Sequence, residues 1–137
     1  MKKLLTLIVL SFIGISLSAQ TLYYSGKLYD DSTNLPIEML LNLGQKTYLS
    51  QTDYSISVTG SYRYLSQAVN NRLPLHGTIT YYAVPDFEGW HYVVKAELYT
   101  NNGLETFNIT FPYGEWIMYD YYGHVNRIMD VELNRRR

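Results

Sequence analysis

Alternation between apolar and polar residues runs along almost the whole chain after its first twenty residues. In the run from Ser55 to Tyr64, for example, Ile56, Val58 and Tyr62 occupy one phase, while serine and threonine fill most of the other. Successive side chains of a β-strand point to opposite faces, so a period of two predicts strands with one buried face. This pattern leaves little room for helices and predicts an all-β protein.

About eight such runs follow one another, and the connections between them are short. The clearest turn is Asn101-Asn102-Gly103, because asparagine and glycine both accept the positive φ that tight hairpins need. Consecutive runs with tight turns favour a single antiparallel up-and-down meander. Closing this meander into a barrel removes its exposed edges. We therefore expect a closed or nearly closed barrel of about eight strands, with a β-sandwich as the alternative.

The first nineteen residues have the three-part layout of a secretory signal peptide. Lys2 and Lys3 precede an apolar run from Leu4 to Leu17, and small residues follow up to Ala19. The apolar run is 14 residues long, whereas a membrane-spanning helix needs roughly 20. We expect cleavage near Ala19, a periplasmic or secreted location and no stable membrane span afterwards.

The rest of the chain is expected to form one domain. The alternating runs predict a barrel domain over residues 20–134, followed by a basic tail over residues 135–137. That tail consists of Arg135, Arg136 and Arg137. Three arginines in succession are typical of a solvated terminus, or of a contact with an acidic partner or an anionic surface.

Three glycines and a late tryptophan carry a resemblance to known barrels. Gly26, Gly60 and Gly77 fall inside predicted strands, where glycine fits a barrel corner or a close backbone approach. Together with Gly114-Glu115-Trp116, this exported eight-run chain resembles small barrels of the calycin type, which are lipocalin-like and avidin-like. The resemblance covers most of residues 21–134 as a pattern. It implies the architecture and no binding residue, because the Gly-x-Trp of lipocalins lies on the first strand and here lies on the seventh run.

Composition excludes several classes of function. Eleven Lys and Arg stand against twelve Asp and Glu, so the chain has no excess of positive charge for generic nucleic-acid binding. Without cysteine it can form no disulfide, thiolate zinc site or cysteine nucleophile. Its three histidines, His76, His91 and His124, lack metal-ligand spacing. We expect no metal, no cofactor and no nucleic-acid partner.

Asp120 is the most interesting carboxylate. It shares a predicted face with Trp116, where a lone buried carboxylate would be costly. It could orient a ligand or act as an acid with a raised pKa. The favoured alternative is an ion pair with Arg127 on the neighbouring strand.

Aromatic residues are the strongest compositional anomaly, with 15 tyrosines and two tryptophans. Tyrosine and tryptophan bury apolar area while keeping a polar tip, which suits a binding surface. The alternative is cross-strand aromatic pairing that only stabilises the sheet. The candidate binding residues are Tyr82, Trp90, Trp116, Tyr119, Asp120 and Tyr121.

These observations favour an exported, non-catalytic binding protein that acts on a protein partner through an aromatic-rich surface, of the inhibitor or immunity type. One alternative is a lipocalin-like carrier that holds a small apolar ligand in its lumen. Another is a carbohydrate-binding module or hydrolase. A packed lumen would exclude the carrier, whereas an opening of about 300 Å³ would support it.

Overall fold

A computed structural model describes residues 20–66 and 71–136, which form one closed antiparallel barrel. Each strand pairs with the next along the chain, and the eighth pairs with the first. The strands are β1 (Thr21–Tyr29), β2 (Asn34–Tyr48), β3 (Tyr54–Tyr64), β4 (Leu73–Asp86), β5 (Gly89–Thr100), β6 (Glu105–Thr110), β7 (Tyr113–Tyr119) and β8 (Val125–Arg136). The predicted meander is confirmed, and the chain does not form the alternative sandwich.

Two of the sequence predictions fall partly or wholly outside the described residues. The predicted signal peptide at residues 1–19 lies outside them, as does Arg137 at the end of the predicted tail. The described residues contain no helix that could span a membrane. β8 continues through Arg136, two residues past the predicted domain boundary at residue 134, and Arg135 pairs with Tyr24 of β1.

Side chains on the inner phase fill the centre of the barrel. The largest of them are at most 2% exposed, and Trp116 joins them from β7 with only 3% of its surface exposed. Burying each such side chain contributes roughly 1.5–3 kcal/mol to folding. The filled centre is formed by Leu28, Ile37, Met39, Leu41, Tyr62, Leu75, Ile79, Leu98, Phe107, Ile109, Met129 and Leu133.

Gly60 lies where β3 closely approaches β2. A Cβ atom at this position would lie much closer to the Leu40 carbonyl oxygen than van der Waals contact allows. Gly26 and Gly77 have the same relation to the carbonyl oxygens of Glu132 and Glu97. The prediction that the strand glycines permit close backbone approaches is confirmed.

The predicted turn residues form hydrogen bonds with backbone groups two or three positions away. Asp30 ends β1 because its Oδ1 accepts the backbone N–H groups of Ser32 and Thr33 at 3.0 and 2.8 Å. Gly103 has a φ of +74°, and Asn102 Oδ1 accepts the N–H of Leu104 at 2.9 Å. Short polar side chains thus replace strand hydrogen bonds at the hairpin ends.

The two ends of the barrel carry different turns, because consecutive strands run in opposite directions. We call the end with the β2–β3, β4–β5 and β6–β7 turns the upper end; it also holds Gln20 and Arg136. The lower end carries the other four turns.

The β4–β5 hairpin projects beyond its neighbours at the upper end. β3 pairs with β4 no further than Tyr81, and β6 pairs with β5 no further than Lys95. Pairing between β4 and β5 nevertheless continues to Asp86 and Gly89. The inner face of this hairpin therefore extends above the barrel wall.

Candidate functional site

Five aromatic rings form a continuous cluster at the upper end. Tyr54 lies at its centre, stacked on Tyr81 at 4.8 Å between ring centroids and edge-on to Tyr92 at 5.6 Å. Tyr48 contacts Tyr54 at 5.8 Å, and Trp90 contacts Tyr92 at 4.9 Å. We call these five residues the aromatic platform.

Strand register places these rings on one face. Tyr54 pairs with Tyr81, which pairs in turn with Val94 of the barrel interior. Directly paired residues point to the same face, and so do residues two apart along a strand. Tyr92 and Trp90 therefore continue the inner face of β5 upward. The platform is the part of the barrel's inner surface that lies at the top of the wall and on the projecting hairpin.

The outer rings of the platform remain open to solvent. Trp90 is 58% exposed and Tyr48 is 65% exposed, whereas Tyr54 and Tyr81 are half-buried. Lys46 Nζ lies 4.2 Å from the Tyr54 ring centroid and adds a cation–π contact at the rim. The platform thus combines buried supporting rings with exposed contact rings.

Hydrogen bonds fix the two hairpins of the platform to each other. The Ala83 N–H donates to Asp53 Oδ1 at 2.9 Å, and the Tyr92 hydroxyl donates to the Thr52 carbonyl at 3.1 Å. Both bonds link the β2–β3 turn to the β4–β5 hairpin. A surface held in one arrangement loses less conformational entropy when it binds.

A cavity of about 310 Å³ opens beside the platform, and we call it the mouth cavity. Tyr24 stacks on Phe111 in its wall, with 4.7 Å between ring centroids. Tyr81 belongs both to this wall and to the platform, so the two features are continuous. The cavity is lined by Tyr24, Tyr81, Val94, Phe111, Pro112, Leu133, Asn134 and Arg135.

The polar residues that line the mouth cavity are Tyr24, Tyr81, Asn134 and Arg135. Burial raises the pKa of Tyr24 to about 12, with the nearby Tyr81 acting in the same direction and Arg135 in the opposite one. Burial also raises the pKa of Tyr81, again opposed by the charge of Arg135. Both hydroxyls stay protonated at neutral pH, and the Arg135 charge acts on both.

A polar cluster fills the interior near the lower end. Glu105 is only 9% exposed, and its Oε1 accepts the Trp116 Nε1–H at 3.1 Å. The hydroxyls of Tyr62 and Tyr64 donate to the same oxygen. Burial raises the pKa of both tyrosines, that of Tyr64 to about 12, so they remain donors at neutral pH. This cluster satisfies polar groups inside the core and provides no open site.

The six predicted binding residues do not converge. Trp90 belongs to the platform, and Tyr82 lies on the outer face of the same hairpin. Tyr119 is half-buried and Tyr121 is 90% exposed, both at the lower end. Trp116 is in the core because it continues the inner phase of β7 at a level where the wall is closed. It cannot contribute to an exposed aromatic surface.

The predicted pairing of Asp120 with Arg127 is wrong. Arg127 Nη2 lies 3.0 Å from Asp30 Oδ2, because barrel closure brings the β1–β2 turn next to β8. Asp120 instead shapes the β7–β8 turn, where its Oδ1 accepts the N–H groups of Tyr122 and His124, each at 2.9 Å. Its role in the structure is that of a turn residue.

Sequence reasoning did not single out most of the residues that form the upper site. Tyr54, Tyr81 and Tyr92 lie on the inner phase of their runs, where they were indistinguishable from core residues. Arg135 follows Val131 and Leu133 on the inner phase of β8. A charged residue on an apolar phase is the signal that could have identified it.

His76, His91 and His124 are all exposed. Across residues 20–66 and 71–136, no group of three or more His, Cys, Asp or Glu side chains is placed to hold a metal ion. Comparison with known proteins gives no match among family models, curated proteins or solved structures.

Proposed function

We propose that this protein is an exported, non-catalytic binding protein that engages a protein partner through the aromatic platform. The observation that supports this proposal is the contact between five rings at the upper end, two of which, Trp90 and Tyr92, lie on the part of the β4–β5 hairpin that projects above the wall. Trp and Tyr are enriched among the residues that dominate protein–protein binding energy. The platform offers both types, in contact with one another, at the upper end of the barrel.

Stabilisation of the sheet explains why some of the platform rings are present, but not why others are exposed. Tyr54 and Tyr81 are stacked and half-buried, so their packing stabilises the hairpins. Trp90 and Tyr48 leave more than half of their surface in water. An exposed tryptophan on a fixed hairpin contributes most of its apolar area only when another molecule covers it.

Two carboxylates at the upper end, those of Asp53 and Asp86, have structural partners. Asp53 Oδ1 accepts the Ala83 N–H, and Asp86 Oδ2 lies 2.7 Å from His91 Nδ1. The hydrogen bond from His91 and the backbone N–H of Glu88 lower the pKa of Asp86. A glycosidase acid instead requires a raised pKa. These contacts favour binding over hydrolysis at this end.

A second candidate function is the binding of a small apolar ligand in the mouth cavity. The cavity's volume of about 310 Å³ favours it. Ligand sites start at about 300 Å³, so a small molecule would fit but a long lipid would not. The filled centre argues against the predicted carrier with its ligand in the lumen, so this candidate differs from it in placing the ligand at the mouth.

We expect Trp90→Ala to weaken partner binding by at least about tenfold, because an exposed tryptophan at a binding surface is a typical hot spot. The partner is first captured from the exported proteins of the source organism with the native protein. Its affinity for each purified variant is then measured by surface plasmon resonance.

The matched control is Tyr121→Ala, which removes a ring of 90% exposure from the lower end. We expect this variant to bind as the native protein does. Thermal melting of both variants should stay close to that of the native protein, since both side chains are exposed. Equal binding by Trp90→Ala and the native protein would refute the proposal, as would a loss confined to Tyr121→Ala.

A further inference from the structure

We propose that the mouth cavity binds an apolar group that carries a single carboxylate, and that Arg135 receives that carboxylate. This inference deepens the second candidate function, on which it rests, by naming the chemistry of the ligand. It does not depend on what the aromatic platform binds.

Arg135 differs from the other described arginines in having no carboxylate partner within residues 20–66 and 71–136. Arg63, Arg72 and Arg136 each lie within 3.5 Å of Glu38, and Arg127 pairs with Asp30. Arg135 instead lines the mouth cavity beside Leu133. A cation that faces an apolar cavity is complementary to an anionic ligand group.

Tyr24, Tyr81 and Asn134 are the other polar residues of the cavity lining. The charge of Arg135 acts on both tyrosines, so its guanidinium lies close enough to share a ligand with them. A guanidinium presents parallel N–H donors that match the two oxygens of a carboxylate. The protonated hydroxyls supply further donors for the same oxygens.

The apolar residues that line the cavity determine the size and shape of the ligand's apolar part. Val94, Phe111 and Leu133 supply apolar surface, and the Tyr24–Phe111 stack adds a flat aromatic wall. The volume suits one ring or a short alkyl chain. A ring joined by a short arm to a carboxylate has the required chemistry.

Two sources could present this group: a free organic acid, or the carboxyl-terminal residue of a partner chain. Isothermal titration calorimetry on the protein purified from the full chain compares four probes. The small pair is 3-phenylpropionate and its neutral amide. The peptide pair is a short peptide ending in phenylalanine, with a free or an amidated carboxyl terminus.

We expect the acid of at least one pair to bind at least about tenfold more tightly than its amide. Arg135→Gln should abolish this difference, and Arg135→Lys, which keeps the charge but loses the fork, should retain part of it. Arg136→Gln is the matched control, because it removes the same charge from the next residue, which contacts Glu38 on the outer face. It should bind as the native protein does.

The outcomes distinguish a failure of the proposed role of Arg135 from a failure of the second candidate function, on which that role rests. Tighter binding of 3-phenylpropionate than of its amide identifies a small-molecule ligand. Binding of the free-carboxyl peptide, with no binding of 3-phenylpropionate, identifies a chain terminus. Either result supports the inference. Equal binding of acid and amide would overturn the role of Arg135 while leaving the second candidate function in place. If no probe binds, both are overturned. An unaltered acid preference in Arg135→Gln would also contradict the inference.

Discussion

Glu105→Ala is expected to lower the free energy of unfolding by about 3 kcal/mol, since the variant leaves buried donors without an acceptor. The Tyr62 hydroxyl and the Trp116 Nε1–H both donate to Glu105 Oε1 inside the core. Each unsatisfied buried group costs about 1–3 kcal/mol, and a cavity adds to that cost. Urea denaturation followed by circular dichroism measures the change.

Two further variants test the physical reason for this effect. Glu105→Gln keeps an acceptor oxygen and should cost less than Glu105→Ala. Glu115→Ala removes a carboxylate from the exposed face of the adjacent strand β7 and should change stability by less than about 0.5 kcal/mol. If Glu105→Ala unfolds at the same urea concentration as Glu115→Ala, the buried cluster does not stabilise the barrel.

Gly60→Ala is expected to destabilise the barrel by at least about 3 kcal/mol, the upper part of the usual range for overpacking. The added methyl group collides with the Leu40 backbone carbonyl, which rotation of a side chain cannot relieve. β2 and β3 would have to separate at the centre of the sheet. The measurement is again urea denaturation, with soluble yield recorded if the variant does not fold.

Thr59→Ala is the matched control for this substitution, because it introduces alanine at the neighbouring, exposed position of β3. We expect it to cost less than about 1 kcal/mol, the span of strand propensities. A Gly60→Ala protein as stable as Thr59→Ala would show that the strands do not approach as closely as described.

The architecture was predictable because one periodicity governs nearly all of the chain after its first twenty residues. The inner phase of β3, through Ile56, Val58 and Tyr62, is the buried phase in the structure. Gly60 marks a close approach, as its place inside a strand predicts. Local turn chemistry at Asn102 and Gly103 also agrees with the fold. The apolar alternation, the turn residues and the packing all favour the same barrel, so the barrel could be predicted from the sequence.

The site was less predictable because alternation reports which face a residue occupies and not how high on the barrel it lies. Trp90 and Trp116 both lie on inner phases, yet one is 58% exposed and the other 3%. The difference comes from the β4–β5 hairpin, which continues past both neighbouring strands. Where neighbouring strands end is a property of the assembled sheet.

Pairing between distant charged residues was unpredictable for a related reason. Arg127 lies opposite Met118 in the β7–β8 ladder, whose register shifts before Tyr119. Its carboxylate partner, Asp30, is brought to it by the pairing of β8 with β1. Closure of the barrel creates this contact, and no local spacing in the sequence encodes it.

Fluorine NMR of the protein labelled with 5-fluorotryptophan tests most directly whether binding occurs at the platform. The two tryptophans give one resonance from exposed Trp90 and one from buried Trp116, and Trp90→Phe assigns them. In the free protein, a soluble paramagnetic agent should broaden the resonance of exposed Trp90. When unlabelled partner is added to saturation, we expect the Trp90 resonance to shift and the agent no longer to broaden it. The Trp116 resonance should stay unchanged. A Trp90 resonance that remains unshifted and equally broadened in the complex would contradict the proposed function.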